Sequence, residues 1–404
     1  MNTTEALHQH GGVQKGTPTY RRINLALFCA GFVTFVTLYD VQPLLPLFSQ
    51  EFGVVPAVAS LPLSCATLAL AFGMLLAGTV SDSVGRRQMM TAAMVTTSLL
   101  ALLTWLSGSF ASLLALRFVQ GLALSGIPSV AMAYLGEEMD VRAISSAMGL
   151  YISGNAFGGM TGRIGSALLC DHMTWRSAMA VIGVIGLCLS LVFIRCLPPS
   201  KNFIRRPFRA SNLSSTLFSQ IKDPGLLCLY GLAFLSMGGF VSLYNYIGFR
   251  LLAPPYSISQ SHVSLIFLVY LLGSFSSGMV GSLVGRFGRA AMIRLTLGTM
   301  LAGTLVTLSG SLLLIVAGVG IFTCGFFCAH ALASGWVGRR AQSGRAQASS
   351  LYLFCYYQGS SISGTIGGLF WQHHGWQGVA LMIGALVAMA FIVAETLLRV
   401  PGEE

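Results

Sequence analysis

The chain has 404 residues, 54% of them hydrophobic and only 9% charged. A soluble protein carries about 25% charged residues, so a soluble globular fold is excluded. The formal net charge of +11 is spread over alternate junctions between apolar runs rather than gathered in a patch, which argues for membrane topology and against nucleic acid.

Residues 1–23 are polar, contain no apolar stretch of signal-peptide type, and read as a cytoplasmic tail. Twelve apolar runs follow, at 24–48, 58–80, 88–107, 110–135, 145–169, 176–197, 225–249, 260–283, 290–308, 312–336, 346–370 and 376–398. Lys15, Arg21 and Arg22 precede the first run, and Arg86 and Arg87 follow the second. Arg142 follows the fourth, Arg286, Arg289 and Arg294 the eighth, and Arg339, Arg340 and Arg345 the tenth. The opposite junctions hold little beyond Arg176 and Arg250, so both termini, including the tail 399–404, are expected in the cytoplasm. The segment 198–224 separates two bundles of six spans, 24–197 and 225–398. Its prolines and basic residues predict a linker held at the anionic inner leaflet, making lipid a partner.

The two halves repeat. Gly78 to Arg87 recurs in degraded form as Gly281 to Arg289, Ser145-Ser146 corresponds to Ser349-Ser350, and Trp175 to Trp376, each at an offset near 203 residues. Duplication of this kind builds transporter halves that rock against each other.

Four motifs carry chemistry. After the second span, Gly78-x-x-x-Asp82-x-x-Gly85-Arg86-Arg87 places a carboxylate and two guanidiniums where glycines permit close packing. In the second copy Gly285 stands where Asp82 does, so only the first gate is complete. The fourth span carries Arg117 followed by Gln120-Gly121, an arginine that is costly in hydrocarbon unless paired or hydrated. The fifth reads Gly149-x4-Gly154-Asn155-Ala156-Phe157-Gly158-Gly159, then Gly162-Arg163. The first contains Asp40-Val41-Gln42-Pro43-x-x-Pro46, and Asp40 is the one acid clearly inside a span and away from its ends. At 1.5 Å per residue, Asp40, Arg117 and Arg163 lie about 12, about 10 and about 9 Å from the outer ends of their spans. Similar depth predicts that Asp40 contacts Arg117 or Arg163.

With twelve spans in two sixes, the loop motif after span two resembles that of the major facilitator superfamily. Arg117 with Gln120-Gly121 is similar to the second motif of that family. The fifth span is similar to its antiporter signature, with Asn155 in place of a proline, and Pro43-x-x-Pro46 to the span-one motif of drug–proton antiporters. Phrases such as Asn245-Tyr246-Ile247-Gly248 and Ala348 to Phe354 resemble the YnfM-type subgroup of bacterial inner-membrane facilitators. The resemblance implies an all-α fold of two pseudo-symmetric six-helix bundles and a monomeric inner-membrane transporter working by alternating access. It implies proton-coupled efflux of a small solute, with a cytoplasmic gate at Gly78, Asp82, Gly85, Arg86 and Arg87.

Candidates for proton coupling are Asp40, Arg117, Arg163 and His330. Asp40 departs from the subgroup's pattern, which leaves Asp82, His330 or no residue at all as the carrier. Gln42, Asn155, Asn245, Tyr356 and Gln358 are candidates for the solute cavity, because amides and tyrosines suit a moderately polar or aromatic solute. No phosphate-binding Gly-x4-Gly-Lys motif occurs, and no cofactor is expected. Cys324 and Cys328, one turn apart and near His330, read as buried thiols rather than a metal site. Proton-coupled uptake is one alternative, since Asn155 weakens the antiporter signature. A transporter-like sensor that binds without translocating is another. A polytopic enzyme would need several acids or histidines converging at one place, which the sequence lacks.

Overall fold

A computed structural model describes residues 12–203, 205, 217–341 and 344–400, so much of the expected linker 198–224 and parts of both tails lie outside the described residues. Local chemistry sets the helix ends. Thr17 accepts a hydrogen bond from the Tyr20 amide ahead of Pro18. Asp223 does the same for Gly225, ahead of Pro224, at the start of the second half. The fourth span runs as Phe110–Leu124 and Pro128–Glu138, because Pro128 cannot donate to the carbonyl four residues back.

Nine helical segments among the described residues are long and apolar enough to cross a membrane. Two contain a sharp break: Tyr270–Val306 at Gly288, and Arg345–Arg399 at Gly375. Dividing these at their breaks, and adding the less apolar Val141–Cys170, gives the twelve expected spans.

Small residues bring the helices together within each half. A Cβ on Gly154, Gly158 or Gly162 of the fifth span would lie 2.5, 2.3 or 2.5 Å from the carbonyl oxygens of Phe28, Phe32 and Val36 in the first. The glycine face read in the sequence is therefore a backbone-to-backbone seam. The second half repeats it: a Cβ on Gly359 would lie 2.1 Å from the Phe234 carbonyl oxygen.

The two halves meet mainly at the end remote from both termini. Thr67 Oγ1 lies 2.7 Å from Ser361 Oγ, the Ser361 hydroxyl donates to the Ser64 carbonyl at 2.9 Å, and the Gln260 amide donates to the Pro43 carbonyl. Gly368 packs so closely on Ala57 that a Cβ would sit 2.3 Å from its Cα. At the opposite end, Gly78, Gly281, Gly285 and Gly288 have nothing within 4 Å of a built Cβ. Among the described residues the halves are joined at one end, and no hydrogen bond or ion pair between them is seen at the end where Pro18 begins and Arg399 finishes.

Candidate functional site

The site begins with a broken helix. The first span is helical over Pro18–Tyr39, turns through Gln42–Leu44, and resumes at Leu45–Phe52. Pro43 and Pro46 bring no amide proton, and their rings crowd the carbonyls of Tyr39 and Gln42. Such a break strands last-turn carbonyls in a dry interior. Arg117 from the fourth span fills that need. Its Nη1 donates to the Thr37 carbonyl at 2.7 Å and its Nη2 to the Leu38 carbonyl at 2.6 Å. Its Nε reaches the Pro62 carbonyl of the second span at 3.2 Å. Nη1 also meets Gln120 Oε1 at 2.6 Å and Asp40 Oδ1 at 3.2 Å. Arg117 and Asp40 are each 1% exposed. The structure thus brings these two together and gives Arg117 a structural duty that depth arithmetic alone did not reveal.

Arg163, also buried, has different company. Its Nε donates to Gln42 Oε1 at 2.6 Å and its Nη1 to the Gly159 carbonyl at 2.8 Å. Its guanidinium carbon lies 3.8 Å from the ring centre of Tyr39, 4.7 Å from that of Tyr270 and 5.3 Å from that of Phe267. Tyr270 and Phe267 belong to the other half.

Because guanidinium nitrogens only donate, Gln42 must present its oxygen to Arg163. Its nitrogen then donates to Asn245 Oδ1 at 2.8 Å, across the boundary between the halves. Gln42 and Asn245 are 203 residues apart, the offset of the repeat, so pseudo-symmetry mates meet here. Asn245 Nδ2, Tyr270 Oη and Gln358 Nε2 are buried without a hydrogen-bond partner.

His330 lies in the second half, away from these charges. Its Nδ1 is 2.9 Å from Tyr352 Oη, and its ring lies 4.7 Å from that of Tyr356. Phe326, His330, Tyr352, Tyr356, Ser236 and Leu232 help to line a recess with room for about one water. Asn155 lies in the seam between the first and fifth spans, where a Cβ on Gly31 would meet its Oδ1 at 2.4 Å.

The loop motif forms a compact knot within the first half. Arg86 Nη2 lies 2.6 Å from Asp82 Oδ1 and 2.7 Å from Glu137 Oε1, and Nη1 donates to the Ser81 hydroxyl. Arg87 donates to the Ile194 carbonyl at 2.8 Å. Gly85 turns the chain at φ 113°, and its repeat mate Gly288 does so at φ 78°. In the second copy Arg289 has no acid in contact among the described residues and lies 5.7 Å from the Trp336 ring centre. Replacing Gly288 with alanine places a side chain in a conformation that costs about 1–3 kcal/mol. Nothing crowds that Cβ, so the expected result is a lowered thermal midpoint in detergent with the fold retained. An unchanged midpoint would show that the turn relaxes freely.

Sequence reasoning did not single out Tyr39, Phe267 and Tyr270, which face Arg163, or Glu137, which completes the knot. Tyr39 had a signal in being next to Asp40, and Glu137 in ending an otherwise apolar span. Phe267 and Tyr270 had none, since only packing of the halves brings them to Arg163.

The Major Facilitator Superfamily model matches residues 24–252 and 226–404. The chain belongs to the major facilitator superfamily. It is 46% identical over 387 residues to an MFS-type transporter, YybF, of Bacillus subtilis (strain 168), with 96% of each chain covered. It is 45% identical to the inner membrane transport protein YnfM of Escherichia coli (strain K12), covering 96% of this chain and 93% of the relative. Among solved structures, the nucleoside transporter NupG superposes with a TM-score of 0.78 at 14% identity, over 93% of this chain and all of that one, a likeness of fold. This family member is a multi-pass secondary transporter of small molecules, not an enzyme, and the resemblance to the YnfM-type subgroup holds.

Proposed function

We propose that the protein exports a small solute from the bacterial cytoplasm in exchange for protons, as a monomer in the inner membrane with both termini inside. In that orientation the structure faces inward. The reading rests on one observation: Asp40, buried in the first span, contacts Arg117 beside the Gln42–Asn245 bond that joins the halves. A carboxyl group there can be protonated or ionised according to whether the halves are closed over it. Protonation weakens its pull on Arg117 and thereby alters the hinge of the first span. Among the described residues the knot of Asp82, Arg86 and Glu137 makes no hydrogen bond or ion pair with the second half. It is placed to meet that half when the inner end closes, as the cytoplasmic gate.

Asp40→Asn keeps the shape and leaves Arg117 its carbonyl partners. In proteoliposomes the variant is expected to fold, and to lose solute movement driven by an imposed pH gradient. Undiminished pH-driven flux would remove Asp40 from the mechanism. Uptake is the second reading, favoured by the unbroken fifth span, Val141–Cys170, where Asn155 replaces the proline of the antiporter signature. Proton flow in the same direction as the solute would establish it.

A further inference from the structure

Of the charges buried deep in the spans, Asp40 and Arg117 satisfy each other, and Arg163 is left over. Among the described residues no carboxylate lies within 4.0 Å of Arg163, which is 2% exposed. An arginine cannot shed its proton to escape this burial. A buried cation met only by neutral groups, the Gln42 and Gly159 oxygens and ring faces, has no counter-charge, and the charge is not needed for packing, since an apolar side chain would fill the same space more cheaply.

The surroundings specify what would complete it. Asn245 Nδ2 and Tyr270 Oη are buried and unpartnered. Asn245 is one amide away from Arg163 through Gln42, and the Tyr270 ring centre is 4.7 Å from the guanidinium carbon. The Asn245 amide turns its oxygen to Gln42 and its nitrogen to Gly364, so the phenol is the free donor beside the cation. One positive charge with a flanking donor matches a group that only accepts and carries one negative charge, which is a carboxylate. The walls are rings: Tyr270 is 5.4 Å from Phe240 and 5.0 Å from Tyr244, centre to centre, and Tyr39 lies on Arg163 itself.

We infer that the solute is a monocarboxylate with a flat aromatic body, its carboxylate bound by Arg163 with Tyr270. This rests on the transport reading for its physiological meaning but not for its test. The rings of Tyr270 and Phe267 come from the second half and cover Arg163 in this state, so they turn off the guanidinium face as the carboxylate enters and leave the Tyr270 hydroxyl beside it.

The experiment measures equilibrium binding to the purified full-length protein in detergent, with no gradient. The probes are benzoate, phenylacetate and indole-3-acetate, each against its neutral amide. At least one acid is expected to bind ten-fold or more tighter than its amide. Arg163→Gln should erase that preference. Arg163→Lys, which keeps the charge but loses the fork, should retain a reduced one. Tyr270→Phe, which removes a donor and no charge, should weaken the acid several-fold and leave the amide unchanged, so the inference stays testable if Arg163→Gln does not fold. Acids and amides that bind alike, or a preference that survives in Arg163→Gln, would overturn it. Preferential acid binding at Arg163 without flux in proteoliposomes would leave this site standing and overturn the transport reading instead.

Discussion

Arg117→Met is expected to be among the most damaging single substitutions in this protein. It removes the donor to the Thr37, Leu38 and Pro62 carbonyls at once and leaves Asp40 buried without its cation. Removing one partner of a buried ion pair costs about 3–5 kcal/mol, because the remaining charge is uncompensated. The expected result is a strongly lowered thermal midpoint in detergent, or loss of a monodisperse protein altogether. Adding Asp40→Asn should recover part of the loss. The charge component then vanishes, while the deficit of lost hydrogen bonds, about 0.5–1.5 kcal/mol each, remains. A double variant no more stable than Arg117→Met alone would show that the pair does not couple. A fully stable Arg117→Met would show that the carbonyls find other donors. The comparison separates the structural duty of Arg117 from the proposed proton chemistry of Asp40, which Asp40→Asn tests alone.

The second large effect falls on the equilibrium between states. Gly368 sits at the joined end, where any Cβ would come within 2.3 Å of the Ala57 Cα and 2.4 Å of its amide nitrogen. Gly368→Val therefore blocks this approach of the halves while leaving the interior of each bundle alone. Overpacking of a tight contact costs about 1–3 kcal/mol, a shift of about five-fold to more than a hundred-fold in the ratio of the two states. Distances between spin labels across the joined end should lengthen, and labels across the opposite end should draw together. Unchanged distance distributions would mean that the contact yields locally and does not control the state. The glycines of the first–fifth seam give a contrasting case. Gly158→Val collides with the Phe32 carbonyl inside one bundle, so it strains the bundle in both states rather than choosing between them.

Much of this molecule was legible in its sequence because the bilayer leaves few options. A chain with this apolar content must satisfy its backbone within helices, and apolar runs broken by basic junctions mark the span ends. The helices at Leu61–Val84 and Pro224–Leu252 begin and end within a few residues of the expected bounds, whereas the first span starts earlier, at Pro18, and breaks after Tyr39 where an unbroken run to 48 was expected. The repeat was legible for the same reason: matching glycines and arginines at a fixed offset fall in matching loops. Gly85 and Gly288, both at positive φ, show the shared backbone that this pattern encodes. That Asp40 contacts Arg117 or Arg163 could be expected from depth alone, since helices of known direction place residues at calculable heights.

Rotation about each helix and the packing of one half on the other could not be read in this way. Depth arithmetic put Arg163 beside Asp40 and Arg117 without distinguishing their partners. The fold gives Asp40 to Arg117, and gives Arg163 to Gln42 and three rings. That choice depends on which face each helix turns inward and on which half is closed over it, and side chains more than 100 residues apart decide both. The sequence by itself determined that this is a duplicated twelve-span membrane protein with charges at a common depth, because hydrophobicity and periodicity are local quantities. Only the tertiary structure decided which charges are spent on each other and which one is left for a ligand, because that balance is settled where four helices and two halves meet.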